Sequence, residues 1–224
     1  MSLVLNIKVW FSILFYIIMF DITAQNTNSG LSEQSENTSY FNVQKSISFT
    51  VGISMPSVME NSNFGKATEE RLGFEIGVQV FVYQGLFLGF FHNSSYFEIS
   101  NQDLLGRYDE TSVAAYYLKL GYELQVLKNF TTTLSIAPLG NARYKNIIDR
   151  DRIKQQIDDA NIMIYEFSLA YDFSRAISAF LQYSYRVDNT KIQTAAEISN
   201  DFNKISYHNF GLGLRIHLGR SSLF

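Results

Sequence analysis

The chain has 224 residues, with 18 Lys+Arg against 21 Asp+Glu for a net charge of −3; 17% of residues are charged, 15% are aromatic and none is cysteine. The lack of cysteine excludes disulfide scaffolds, Cys-ligated metal centres and a cysteine nucleophile, and the slight acidity argues against nucleic acid as a partner. A soluble domain normally carries about 25% charged residues, so few charges beside many aromatics indicate a surface that does not all face water.

Residues 9–20 are apolar apart from Ser12, follow Lys8, and are followed by Asp21-Ile22-Thr23-Ala24-Gln25. A basic start, a short apolar core and a small residue after it describe a secretory signal peptide, here residues 1–24 with cleavage after Ala24. As a helix this core spans only ~18 Å, short of the ~30 Å hydrocarbon layer, so it does not read as a retained anchor. No cysteine follows it to carry a lipid. Residues 25–45 are rich in Asn, Ser, Gln, Glu and Thr and read as a flexible polar leader.

Eight runs with a period of two come next. The first sets Ile47, Phe49, Val51, Ile53 and Met55 against Ser46, Ser48, Thr50, Gly52 and Ser54, the alternation of a strand with one apolar face. The pattern recurs over 74–83, 86–93, 116–126, 130–137, 163–172, 177–186 and 210–218. Globular strands average about 5–6 residues, whereas a tilted strand needs ~9–11 to cross a bilayer, and these runs match the longer class. Tight connections at Gln84-Gly85, Lys128-Asn129 and Ser174-Arg175-Ala176 alternate strictly with long ones over 56–71, 94–112, 138–161 and 187–204. The expected fold is all-β: an eight-stranded antiparallel up-and-down transmembrane β-barrel over residues 46–218, with short periplasmic turns, four long outer loops and a tail at 219–224.

The polar parity is mostly Gly, Ser, Thr, Ala and Gln, which suits the tight interior of an eight-stranded barrel, and the apolar parity carries the large Leu, Phe, Ile and Tyr of a lipid-facing band. The inward parity also holds Glu75, Lys119, Glu123, Glu166, Asp172, Arg186 and Arg215. Buried charges must be paired, and four acids against three bases predict a lumen ion-pair network, centred on Lys119, Glu123, Glu166 and Arg215. Such a network either plugs the lumen or lines a conduction or proton path; the narrowness of eight strands favours the plug. On the apolar parity, Tyr96, Tyr116, Tyr144, Tyr165 and Tyr185 near the outer ends, and Phe130, Tyr171 and Phe173 near the inner ends, are expected to form two aromatic girdles.

Strand count, alternating connections and the last run make the chain resemble the OmpA/OmpX-type family of small bacterial outer-membrane barrels over roughly 46–218. Gly213, Ile216 and Leu218 match the last-strand signal, although the family ends on an aromatic inside that strand and here Phe224 comes later. The resemblance implies residence in a Gram-negative outer membrane, insertion by the barrel-assembly machinery, and lipid and lipopolysaccharide as partners. It implies no single activity, since members include adhesins, structural anchors, narrow pores and lipid-modifying enzymes.

No cofactor, metal or catalytic residue is assigned. His92-Asn93-Ser94 and Ser206-Tyr207-His208 set a hydroxyl two residues from an imidazole, the His–Ser spacing of barrels that deacylate lipopolysaccharide, but that spacing by itself only means one face of a strand. The third loop mixes Arg143, Lys145, Arg150, Arg152 and Lys154 with Asp149, Asp151, Asp158 and Asp159; it suits contact with lipopolysaccharide or a surface partner, and 146–160 is compatible with a short helix. The first loop, with Glu60, Lys66, Glu69 and Glu70, has no metal-ligand spacing. The leading reading is a non-enzymatic, porin-like cell-surface barrel with a structural or adhesion-like role carried by its outer loops. The alternatives are a lipid-modifying enzyme of the same fold and a secreted soluble barrel that binds a small apolar ligand.

Overall fold

The computed structural model describes residues 45–60, 62–105, 108–149, 154–190 and 203–219. The signal peptide with Ala24, the leader before Lys45, the tail after Gly219, and Arg150, Asp151 and Arg152 lie outside the described residues. Within them the order is β1 (Ile47–Val58), α1 (Asn63–Ala67), β2 (Thr68–Glu70), β3 (Gly73–Tyr83), β4 (Leu86–Ile99), α2 (Gln102–Leu105), β5 (Glu110–Leu127), β6 (Phe130–Asp149), β7 (Lys154–Asp172), β8 (Ile177–Thr190) and β9 (Lys204–Leu218).

The long strands β1 and β3–β9 pair antiparallel with their neighbours, and β1 also pairs with β9 along its whole length, from Ile47↔Leu218 to Val58↔Tyr207. The ring of eight strands is therefore closed, each long strand having a neighbour on both sides. The short β2 is a tab on the outside of the ring order, pairing Thr68↔Ile99 on β4. Gln84 and Gly85 take φ of 36° and 89°, the two positive values that a two-residue hairpin turn matching the strand twist requires.

The apolar parity faces out. Phe49, Leu88, Leu118, Leu134, Leu181 and Leu212 are 46–63% exposed, while Ser48, Thr133, Ser168 and Ser178 on the other parity are at most 1% exposed. A belt of exposed aliphatics round a closed ring is stable against lipid and not against water. This removes the soluble-barrel alternative, which needs the same side chains inside.

Three sequence expectations change. The strands extend past the runs of apolar alternation at their loop ends. β6 and β7 continue as a hairpin through 139–149 and 154–161, so the expected helix at 146–160 is strand. Toward the hairpin tip, over 145–147 and 155–159, neither face of the strands is buried, so apolar alternation disappears while the ladder persists (Asn146↔Gln156). Tyr144 is not a girdle residue. The β5–β6 register shifts between Leu118↔Leu139 and Leu120↔Ile136. This bulge at Pro138, which has no N–H to donate, inverts the parity of everything beyond it. Tyr144 consequently points into the lumen and is 3% exposed. Lys45, placed with the leader, belongs to the barrel: its side chain is buried among interior carboxylates.

The interior holds more than small residues. Phe81, Phe87, Phe91 and Phe97 fill it on the inward parity of β3 and β4, each at most 3% exposed. They fit because glycines face them: a Cβ on Gly77 would lie 2.1 Å from Phe91 Cδ1, and one on Gly121 2.3 Å from Phe87 Cζ.

Candidate functional site

Interior charges fall into three tiers. In the middle tier Lys119 Nζ lies 2.8 Å from both oxygens of Glu166 and 3.9 Å from Glu75. The ammonium also sits 3.8 Å above the Phe91 ring, a cation–π contact strengthened by the burial of Lys119. Tyr117 donates to Glu75 at 2.5 Å and Gln182 Nε2 donates to it at 3.5 Å. At the short-turn end, Arg215 Nη1 is 3.3 Å from Glu123 and its Nη2 donates to Ser168 at 2.9 Å, with the guanidinium 4.7 Å over Phe180. Lys45 reaches Glu123 at 3.4 Å and Asp172 at 3.7 Å, and Thr131 donates to Asp172 at 3.1 Å. At the loop end Arg186 grips Asp188 with two charge-assisted bonds, 2.6 Å from Nε and 2.5 Å from Nη2, and Tyr144 donates to Asp188 at 2.5 Å while bonding Tyr207.

All seven charged residues expected inside are inside, but they do not share one centre. Glu166 belongs with Lys119, Glu123 belongs with Arg215, and Arg186 stands apart with Asp188, which is not among the seven. Asp188 lies past the apolar alternation of 177–186 and Lys45 just before that of 46–55. Continuing the inward parity two residues past Arg186 finds Asp188, and the surplus of carboxylates among the seven pointed to a missing cation.

Above the third tier the lumen turns apolar. The helix α1 dips into the mouth and places Phe64, 6% exposed, 5.2 Å from the Phe97 ring and 5.7 Å from Tyr144. Val58, Val113, Ile162 and Ile205 complete this plug. The helix is held by its ends: Ser62 Oγ accepts from Gly65 N at 3.2 Å and Thr68 Oγ1 donates to the Phe64 carbonyl at 2.7 Å.

Outside, the register lays the girdles level. Tyr165 pairs with Tyr185 and Tyr185 with His208, and on the opposite side His92 pairs with Tyr116; Tyr96 is 50% exposed two residues along β4. At the other rim Phe130 meets Tyr171 at 5.1 Å, and Tyr171 meets Phe173 at 5.3 Å. On the loop-end girdle His92 Nδ1 lies 3.0 Å from the Ala115 carbonyl and Nε2 lies 3.0 Å from Ser94 Oγ. The reversed pair does not form: His208 bonds the Tyr183 hydroxyl at 2.8 Å, and Ser206 accepts from Tyr185 at 3.5 Å.

No protein-family model matches the sequence, and no curated protein matches it. Similar solved structures do exist. Neisserial surface protein A is 8% identical, with a TM-score of 0.53 over 76% of this chain and 96% of that one. Closed ring, outward apolar belt and this likeness agree. The chain has the fold of the small outer-membrane β-barrels. Also similar are OprG of Pseudomonas aeruginosa, at 10% identity and TM-score 0.49 over 80% of this chain and 98% of that one, and Ail, the attachment invasion locus protein of Yersinia pestis, at 10% identity and 0.47 over 78% and 99%. In an outer-membrane barrel the three tight turns are periplasmic and the long connections lie outside, so the plug formed by α1 closes the outer mouth and the Arg215 tier the periplasmic one. In the second outer loop Tyr108 donates to Gln156; partial burial, and then the nearby Asp158 carboxylate, push its hydroxyl above the ordinary value.

Proposed function

We propose that the protein is a sealed outer-membrane barrel, exported through a signal peptide cleaved after Ala24 and inserted by the barrel-assembly machinery, with a structural or surface-interaction role exerted from its outer face. The observation that carries this is the filling of the lumen: matched ion pairs span all three tiers, and the Phe64 plug lies over the uppermost. A conduction or proton path needs solvated or exchangeable groups in sequence along the pore. Here Lys119 and Glu166 have side chains only 2% and 3% exposed and satisfy one another. The outer face instead offers material for contact. The β6–β7 hairpin carries exposed charges well beyond the girdle, including Arg143 and Asp159, and lipopolysaccharide is the partner closest to it.

Planar-bilayer recordings test the sealed reading. Purified protein that migrates differently before and after boiling, as a folded barrel does, is expected to give no stepwise conductance. Discrete openings that disappear on boiling would overturn it.

A further inference from the structure

The barrel wall is split near its outer rim. The β1–β3 ladder ends at Ser54↔Gly73, yet β1 runs on to Val58, paired with β9. Across the split the chain is held on β4 instead: Arg71 N donates to the Tyr96 carbonyl at 2.9 Å, and Thr68 pairs with Ile99. Backbone N–H groups alternate sides along a strand. Met59 N points to β9, donating to the Ser206 carbonyl at 2.8 Å. Val58 N therefore points into the split, where the Glu70 carboxylate accepts from it at 3.0 Å. Pro56, two residues earlier, would aim an N–H the same way and has none. A proline and a side-chain acceptor thus end the ladder without stranding a donor of β1.

The split holds a cleft of about 670 Å³, inside the range of about 300–1,000 Å³ common to small-ligand sites. Its polarity is ordered along the strands. Met55, Leu72 and Tyr96 line it at the height of the outer girdle, each at least half exposed. Two residues farther along β4, about 7 Å from Tyr96, stands Glu98, directly across from Glu110 on β5. Glu70 and Arg71 complete this rim, and Arg71 bonds Glu98. Three carboxylates against one guanidinium leave a surplus of two negative charges. Glu98 facing Glu110 is also a like-charge pair, which costs stability in a strand register.

We propose that this cleft binds a single-chain amphiphile with an ammonium head, its chain along Met55 and Leu72 and its head among the rim carboxylates. Apolar below and acidic above is the polarity of such a molecule standing in the outer leaflet. The Tyr96 ring between the two zones adds an aromatic partner for the cation. An anionic headgroup meets repulsion at this rim, and an apolar molecule without a headgroup leaves Glu98 and Glu110 opposed. This site goes beyond the sealed-barrel reading and does not depend on conductance.

The test uses full-length protein in dioleoylphosphatidylcholine vesicles, shown to be folded by heat-modifiable migration. Hexadecyltrimethylammonium or hexadecyl sulfate is added, each carrying a diazirine on its chain, and cross-links are located by peptide mass spectrometry after irradiation. Phe167 and Leu181, exposed on the belt of β7 and β8, are the reference, since both probes reach them through lipid. Relative to that belt, the ammonium should label Met55, Leu72 and Tyr96 about three- to tenfold more than the sulfate, the worth of one or two exposed charge contacts. Raising the salt concentration should shrink this ratio. Glu98→Gln combined with Glu110→Gln leaves one carboxylate and one guanidinium at the rim, so the two probes should then label alike. Leu72→Trp, a larger side chain at an exposed position, fills the cleft and should lower ammonium labelling of Met55 and Tyr96 while the belt is unchanged. Equal ratios at cleft and belt would mark a merely apolar groove, and a preference for the sulfate would mark an anionic-lipid site. Either result, a preference that survives the double variant, or cleft labelling unchanged in Leu72→Trp would overturn the proposal.

Discussion

At the periplasmic end Arg215, Glu123, Lys45 and Asp172 close the lumen with ionic contacts of 3.3–3.7 Å, while at the outer end Phe64, Phe97, Val113 and Ile205 close it with apolar contact. The difference follows from what can reach each end. The periplasmic turns are two or three residues long and cannot fold back, so the interior there must be filled by side chains fixed on strands, and every charge needs a partner at a set height. The first outer loop is long enough to lower a helix into the mouth, so an apolar side chain can be brought in to fill the space. The ionic end is therefore unforgiving of single changes, and the apolar end should fail more gradually.

The largest effect is expected where that intolerance is greatest. Lys119→Ala leaves Glu166 and Glu75 buried without their cation, and removal of one partner of a buried pair costs about 3–5 kcal/mol. Urea unfolding in lipid vesicles should show it. Replacing the set together, as Lys119→Met, Glu166→Leu and Glu75→Gln, should return stability to within about 1 kcal/mol, because the penalty belongs to the unpaired charge and not to the lost attraction. If the triple variant is as unstable as the single one, the pairing account of the middle tier fails.

Phe64→Ala comes next, at about 3 kcal/mol, the low end for a buried phenylalanine because a loop collapses over its cavity more readily than a strand does. The ionic tiers remain beneath it, so bilayer recordings should still show no conductance. Openings in this variant would mean that the apolar plug alone seals the barrel. Gly77→Ala tests the middle of the lumen. Its new Cβ would lie 2.1 Å from Phe91 Cδ1, and overpacking of this kind costs roughly 1–3 kcal/mol, readable by the same urea titration.

Much of this architecture was legible in the sequence wherever a strand has two different environments. Residues 47–55 announce their outward face because lipid lies on one side and the lumen on the other. The signal stopped where the environments became alike. Residues 145–147 and 155–159 are strand with neither face buried, and 139–144 change parity at the bulge, so this stretch carried no apolar period and read as loop or helix. Parity itself misled once. Pro138 inserts a bulge that turns Tyr144 inward, and a two-residue count has no means of registering an extra residue. The lumen charges were legible as a set but not as pairs, since which acid meets which base depends on strand stagger; Asp188 and Lys45 lie beyond the alternating stretches that mark the strands. For His92 and Ser94 the shared face was legible, but the ring orientation was not. That orientation comes from the carbonyl of Ala115 on the neighbouring strand, a contact that no local spacing encodes.

The smallest effect separates charge from burial. Arg143 and Asp159 on the outer hairpin form a pair at 3.3 Å, but their side chains are 66% and 60% exposed, against 2% and 3% for Lys119 and Glu166. Water solvates each partner once the other is removed, salt screens the attraction, and exposed pairs contribute about 0–1 kcal/mol. Arg143→Ala should therefore leave the urea midpoint almost unmoved, and raising the salt concentration should erase whatever shift remains. An Arg143→Ala loss as large as that of Lys119→Ala would show that the hairpin is coupled to the barrel below it. The two variants would then no longer report on separate regions, and the contrast between ionic tiers and solvated outer charges would have to be abandoned.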